Sequence, residues 1–297
     1  MFSISSSHDV HGARVTSSLT ILVADPDEET RLALSEAIRR LAPDAVLVEA
    51  ADGVALNRAL SETSIDVLFI DVLLPQTNGA DIRGWREAGN PQGLIVLVTD
   101  MLAPQWSSIA TCIGAYDVML KPLGDRPITR ILDASRILSR SLDLLIVDPG
   151  QTTRRLMRKL LGQSHFSFRI SEAAGGPEAV RLIERQSLDL AIVEMDLPDY
   201  SALEVACRIN DRHPAARILM TGRRIEEGVE RQLATFGASG FLPKPFQFFD
   251  IDKAVHQSFG LWHPYLINAL KRENLLAAEP TMASPVTASP PRRAGHR

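Results

Sequence analysis

Short, almost fully apolar runs alternate with longer stretches of helical spacing along this chain. Thr20-Ile-Leu-Val-Ala24 is too short for a helix and rich in β-branched residues, so it predicts a strand covered on both faces. Asp27-Glu28-Glu29 then places acids where the first turn of a helix favours them, and Leu32, Leu34, Ala37, Ile38 and Leu41 continue at helical spacing. Further strands are predicted over Ala45–Glu49, Val67–Ile70, Leu94–Val98 and Val118–Leu120, with a helix over Gly53–Glu62 and a closing helix from about Ile128 to Ser139. The order then repeats, with strands at Leu144–Val147, Phe168–Ile170, Leu190–Val193, Arg217–Met220 and Phe241–Leu242 and helices over Thr152–Leu161 and Pro177–Gln186. Strand–helix alternation of this kind argues two α/β domains, each a five-stranded parallel sheet flanked by helices.

The repetition extends to the polar residues. The run from Asp66 through Asp71 to Pro75 matches the run from Asp189 through Glu194 to Pro198. Asp71 and Glu194 stand 123 residues apart, as do Asp25 and Asp148, and Lys121 and Lys244; Thr99 and Thr221 are 122 apart. Four landmarks in one order at a near-constant offset indicate a tandem duplication. The expected organisation is a disordered lead over residues 1–18, a first domain over 19–140, a second over 141–262, and a tail over 263–297. A short helix from Leu261 to Asn274 is expected before a Pro/Ala/Ser stretch that cannot support a core. The join, Arg140-Ser-Leu-Asp143, holds neither Gly nor Pro, so the closing helix should run nearly into the next strand and give a stiff pair.

Composition changes this picture little. A chain of 297 residues suits two domains, and 45% hydrophobic with 23% charged residues is ordinary for a globular chain. A net charge of −4 gives no electrostatic reason to expect nucleic acid or an anionic membrane as partner. No apolar run approaches the ~18 residues of a membrane span, and the N-terminal stretch lacks a signal-like apolar core. Cys112 and Cys207 read as buried thiols in helix interiors, in keeping with a cytoplasmic location.

In an open parallel sheet, ligands bind at the carboxyl ends of the strands, near the switch in strand order. Asp25, Asp71, Thr99 and Lys121 follow the first, third, fourth and fifth strands, so two carboxylates, a hydroxyl and an ammonium are expected in one pocket. Ile-Leu-Val-Ala-Asp25, Asp71-Val-Leu-Leu-Pro-Gln-Thr-Asn-Gly79, Val-Thr99 and Gly114-Ala…Lys121-Pro122 resemble the receiver domain of bacterial two-component response regulators, over nearly all of both copies. The resemblance implies two flavodoxin-like (βα)5 domains and no enzyme activity. It implies Asp71 as acceptor of a phosphoryl group from a histidine kinase or histidine phosphotransfer protein. Mg²⁺ would be held by Asp25, Asp71 and the Leu73 carbonyl, Thr99 and Lys121 would contact the phosphoryl group, and Lys121-Pro122 and Lys244-Pro245 would be cis. The chemistry is consistent: a carboxylate is a competent nucleophile toward phosphorus, and a metal ion and an ammonium offset the repulsion between anions.

Three departures qualify the resemblance. Receivers carry a second acid directly after the first, where this chain has Pro26 and Pro149. Asp27 is then either a substitute metal ligand or a helix-start acid, while the second copy has Gly150 there; Mg²⁺ binding by the first copy should be weakened. Glu194 displaces its carboxylate by ~1.5 Å relative to Asp, and a misplacement of about 1 Å can reduce a rate by on the order of 100-fold. The second pocket, Asp148, Glu194, Thr221 and Lys244, is therefore degenerate, with Glu194 free to pair with Lys244. At the switch position opening the fifth strand the first copy has Val118 and the second Phe241. Two functions compete. In one, the first copy is a phosphorylated input and the second docks an unknown downstream protein or forms a homodimer. In the other, both copies are a phosphorylation-independent scaffold. No glycine-rich phosphate loop supports an enzyme reading.

Overall fold

The computed structural model describes residues 18–77, 79–88, 93–103, 105–223 and 233–264. The first half contains β1 (Thr20–Ala24), α1 (Glu28–Leu41), β2 (Val46–Ala50), α2 (Gly53–Glu62), β3 (Val67–Asp71), α3 (Gly79–Ala88), β4 (Leu94–Thr99), α4 (Gln105–Ile113), β5 (Asp117–Leu120) and α5 (Asp125–Leu138). The second contains β6 (Ser141–Val147), α6 (Gln151–Leu161), β7 (Ser167–Ala173), α7 (Gly176–Arg185), β8 (Leu190–Glu194), α8 (Ala202–Arg212), β9 (Arg217–Gly222), β10 (Gly240–Pro243) and α9 (Phe248–Ser258). All strand pairs are parallel, in the orders β2-β1-β3-β4-β5 and β7-β6-β8-β9-β10. Both halves are thus flavodoxin-like, and the order reverses between β1 and β3 and between β6 and β8.

Every residue of β3, β4 and β8 is buried, which is why these runs read as continuously apolar rather than alternating. One face of the first sheet packs on α2, α3 and α4 through Leu56, Ile82, Trp106 and Ile113, among others. The opposite faces of the two sheets belong to one continuous cluster, running from Ile38 and Val96 through Ile131 and Leu138 to Leu142, Met157, Phe166, Val255 and Leu261. The two halves therefore share a core. Only Ser139 and Arg140 separate α5 from β6, so the join is as short as its composition implies. Arg140 pairs with Asp189 at 2.8 Å, and the other oxygen of that carboxylate accepts the Asp143 N–H at 2.9 Å.

The structure alters several expectations. Helices α3, α4, α8 and α9 lie where the sequence reading placed none. Leu32 is 44% exposed because α1 buries a narrower stripe through Leu34, Ala37 and Ile38. Cys112 on α4 and Cys207 on α8 are exposed thiols, not buried ones: each lies on the side of its helix opposite the core stripe. Leu261 to Pro264 have no regular structure; the rest of the helix expected to Asn274, residues 1–17 of the lead and residues 265–297 of the tail lie outside the described residues. Among the described residues no helix is long and apolar enough to cross a membrane.

Candidate functional site

Parallel β1 and β3 end side by side, so Asp25 and Asp71 emerge together at the switch in strand order. Both are buried, and both reach the same ammonium: Lys121 Nζ is 2.6 Å from Asp25 Oδ2 and 2.6 Å from Asp71 Oδ2. Burial works against the Lys121 charge, but the two carboxylates outweigh it and hold its pKa above the ordinary value. Asp71 Oδ1 accepts the Leu73 N–H at 2.6 Å, which curls the loop after β3 and leaves the Leu73 side chain 71% exposed. Lys121-Pro122 is cis, as is Lys244-Pro245.

The loop is braced from α2. Gly53 donates its N–H to Pro75 O at 2.8 Å, and a Cβ at Gly53 would fall 1.8 Å from Gln76 O. Gly176, its counterpart, would place a Cβ 2.0 Å from Tyr200 Cβ. Sequence reasoning passed over another duplicated pair. Arg31 donates to Asp25 O at 2.8 Å and lies 3.5 Å from Glu49; Arg154 donates to Asp148 O at 2.6 Å and lies 3.0 Å from Glu172. The 123-residue offset applied to every charged residue, rather than to the strand ends alone, would have found both arginines.

Asp27 is placed as the N-cap of α1, its Oδ2 accepting from Thr30 N at 2.8 Å and Thr30 Oγ1 at 2.6 Å. The Thr30 hydroxyl and N–H hold its pKa below the ordinary value. Of the two readings of this residue, the helix-start acid describes its contacts. Thr99 closes β4, but its hydroxyl donates to Met101 O at 2.8 Å; that carbonyl also accepts from Trp106 Nε1 at 2.9 Å. A cleft of about 370 Å³ opens at this edge, lined by Asp27, Thr30, Asp100, Lys121 and Pro122. Apolar Leu73 after β3, Met101 and Leu102 after β4, and Leu120 at the end of β5 are exposed.

In the second copy Lys244 Nζ is 2.6 Å from Asp148 Oδ2 and is also hydrogen-bonded to Glu194 Oε2. The longer Glu194 side chain thus still reaches the lysine, and its Oε1 accepts the Asp196 N–H at 3.2 Å. As for Lys121, burial opposes the charge and the two acids overcome it, raising the Lys244 pKa. Thr221 differs from Thr99: it is fully buried and donates to Leu242 O at 2.9 Å, across to β10. Phe241 packs partly buried against the core, as fully buried Val118 does in the first copy. The rim has changed character, with exposed Asp196 and Arg223 where the first copy has Leu73 and Met101.

Two parallel sheets in this strand order, each with a lysine bridging two strand-end acids, define a duplicated flavodoxin-like α/β module. A family model described as response regulator receiver domain matches residues 21–133 and again 144–256, and the chain belongs to that family, as two receiver domains in tandem. The chain is 33% identical to the transcriptional activator protein ExaE of Pseudomonas putida over 103 residues, 35% of this chain and 48% of ExaE. It is 29% identical to the chemotaxis protein CheY of Listeria monocytogenes over 106 residues, 36% of this chain and 88% of CheY. The match thus spans about half the length of ExaE and most of CheY. A solved two-component system response regulator/GGDEF domain protein covers 86% of this chain with all of its own, at a TM-score of 0.60 and 17% identity, a likeness of fold. The chain is a response regulator of two-component signalling.

Proposed function

We propose that the first receiver accepts a phosphoryl group on Asp71 from a histidine kinase or histidine phosphotransfer protein, and that the second is an unphosphorylated interaction module. The observation that carries this reading is Lys121 Nζ at 2.6 Å from both Asp25 and Asp71. It makes Asp71 a buried nucleophile with a cation already beside it. An Asp71 oxygen forms the new P–O bond as the P–N bond of the donor phosphohistidine breaks, and the released imidazole nitrogen takes up a proton. Lys121 neutralises an oxygen of the acyl phosphate, and Thr99 leaves Met101 O to donate to another.

Receiver domains generally bind Mg²⁺ at this site, and the donor set fits one. Two convergent carboxylates supply hard oxygens to an ion that keeps several waters, and the family pattern adds the Leu73 carbonyl. Asp25, Asp71 and Leu73 would hold it, and it would neutralise the phosphoryl oxygens. Pro26 and the capping role of Asp27 leave this set one acid short of the family pattern, which favours weak binding. The exposed apolar rim of Leu73, Met101, Leu102 and Leu120 suits a protein donor; Asp196 and Arg223 at the second rim do not reproduce it. Output then runs through protein contacts to a downstream partner or a second copy.

Pro26 and the occupied Asp27 also favour a second reading, in which both receivers are a phosphorylation-independent scaffold. Labelling with a small phosphodonor, resolved on phosphate-affinity gels, separates the two. Asp71→Asn abolishes labelling and Glu194→Gln leaves it unchanged. Persistent labelling of Asp71→Asn removes the acceptor assignment, and no labelling of the wild type with Mg²⁺ present leaves the scaffold.

A further inference from the structure

The end of the second receiver carries a cluster that neither phosphoryl pocket uses. Asp252 and His256 lie four residues apart on α9, and so on one face of it; His263 folds back onto them from the segment after the helix. All three are buried, at 5%, 0% and 2% exposure. Asp252 Oδ2 is 3.0 Å from His263 Nε2 and 3.6 Å from His256 Nδ1, and one ligand atom from each of the three residues lies within 4.8 Å of the others. The imidazoles stand at 88°, with centroids 4.9 Å apart. Asp252 Oδ1 accepts from Ser164 Oγ at 2.5 Å, which fixes the carboxylate.

We propose that Asp252, His256 and His263 bind one transition-metal dication of the Zn²⁺ type, with water in the fourth position. Two imidazoles and one carboxylate are a Zn²⁺ donor set, whereas Mg²⁺ and Ca²⁺ require oxygen. A tetrahedral ion with bonds of about 2.0–2.1 Å has ligand atoms about 3.3 Å apart, and the measured 3.0 and 3.6 Å bracket that edge. The third edge, between the two rings, is no longer than 4.8 Å and must shorten on binding.

Hydrogen bonding alone leaves the His256 ring incomplete. Its Nδ1 lies 2.8 Å from Asp252 O, and its Nε2 is buried with no hydrogen-bond partner. Coordination through Nδ1 exchanges its bond to Asp252 O for the ion and moves the ring proton to Nε2; the Phe166 ring stands at 75° to the imidazole, centroids 4.8 Å apart. The Ser164 hydroxyl on Asp252 is the kind of supporting hydrogen bond that orients a ligating carboxylate.

The position gives the ion a role. Trp262, next to His263, accepts the Tyr116 hydroxyl on its carbonyl at 3.2 Å and carries the Arg130 guanidinium 4.0 Å above its ring. Both partners belong to the first receiver. An ion on His263 therefore fastens residues 261–264 to α9 and, through Trp262, fastens the second receiver to the β5–α5 side of the first.

The test uses the full chain, stripped with chelator and titrated with Zn²⁺ or Co²⁺ at fixed Mg²⁺. The expected result is one Zn²⁺ per chain after gel filtration and a tetrahedral visible spectrum with Co²⁺. His263→Ala and Asp252→Asn should each weaken binding at least tenfold, and Ser164→Ala by about tenfold. His213→Gln, at the end of α8 and bonded to Ile183 O, leaves binding unchanged. Should Asp252→Asn not fold, His263→Ala carries the test, because it leaves every residue of α9 in place. No bound Zn²⁺ on the folded wild type, or undiminished binding by His263→Ala, overturns the proposal. Either result is independent of whether Asp71 is labelled.

Discussion

Tyr116 of the first receiver donates its hydroxyl to the backbone carbonyl of Trp262, 3.2 Å away in space and 146 residues later in the chain. The tyrosine directly precedes β5 and is 1% exposed, with the ring of His256 stacked on it at 5.9 Å and that of His165 edge-on at 5.3 Å. The side of the first receiver built from β5 and α5 is therefore covered by the second receiver. A change at Asp71 has a short route to it, since Lys121, which bridges Asp71, directly follows β5.

Tyr116→Phe keeps the ring and removes this bond, at a loss of about 1 kcal/mol. Hydrogen exchange of residues 261–263 should rise while exchange of β3 and β8 stays unchanged. In the wild type, phosphorylation at Asp71 should shift exchange in residues 130–150, because a ligand moves an equilibrium only by stabilising one state over another. Identical exchange with and without phosphodonor would favour the scaffold.

Mg²⁺ binding should be confined to the first receiver. Asp25→Asn is expected to lower the affinity of the full chain by at least about tenfold, and Asp148→Asn to leave it unchanged. Isothermal titration of the three proteins decides this, and equal losses from both substitutions would contradict it.

The bridging lysines make a strong stability prediction. Lys244→Met leaves Asp148 and Glu194, 2% and 5% exposed, without their shared cation, and should destabilise by about 3–5 kcal/mol. Glu194→Gln keeps the Asp148–Lys244 pair and should change stability by only about 1 kcal/mol. Urea unfolding of each variant measures the difference, and a milder effect of Lys244→Met than of Glu194→Gln would refute the account.

Asp117 makes stability depend on pH. It is 3% exposed, and burial pushes its carboxyl up to about 7 from 3.8. Between those values the folded protein holds a proton that the unfolded chain has released, so stability falls as pH rises, by at most about 1.4 kcal/mol per unit. His256 acts in the opposite sense: burial lowers its pKa from 6.5, so its contribution grows as pH rises toward that value. Asp117→Asn keeps the bond from Val118 N and removes only the first slope. The stability of the wild type minus that of Asp117→Asn should decline from pH 4 to about 7 and be flat above, as read from urea midpoints.

The chain disclosed its two sheets because β3, β4 and β8 are buried on both faces and so carry runs with no polar interruption. It disclosed the pockets because a strand end fixes where a residue emerges; Asp25, Asp71 and Lys121 could be placed from strand order alone. Helices α3, α4, α8 and α9 were not read from the sequence, although α8 buries a regular stripe of Ala202, Val205, Ala206 and Ile209. The orientation of a hydroxyl was not legible at all. Thr99 and Thr221 occupy matching strand ends, yet one bonds Met101 O and the other Leu242 O.

Sequence by itself determined the duplication, the succession of buried strands in each copy and the loss of aspartate at Glu194, because each follows from residue type and spacing along one strand or helix. Tertiary structure alone decided that Asp27 caps α1, that Glu194 still reaches Lys244, and that the receivers share a core through α5 and β6. It alone brought Ser164, Asp252, His256 and His263 together and set Tyr116 on Trp262. These are contacts between side chains far apart in the chain, and no periodicity records them: they depend on where two separately formed sheets come to rest against each other.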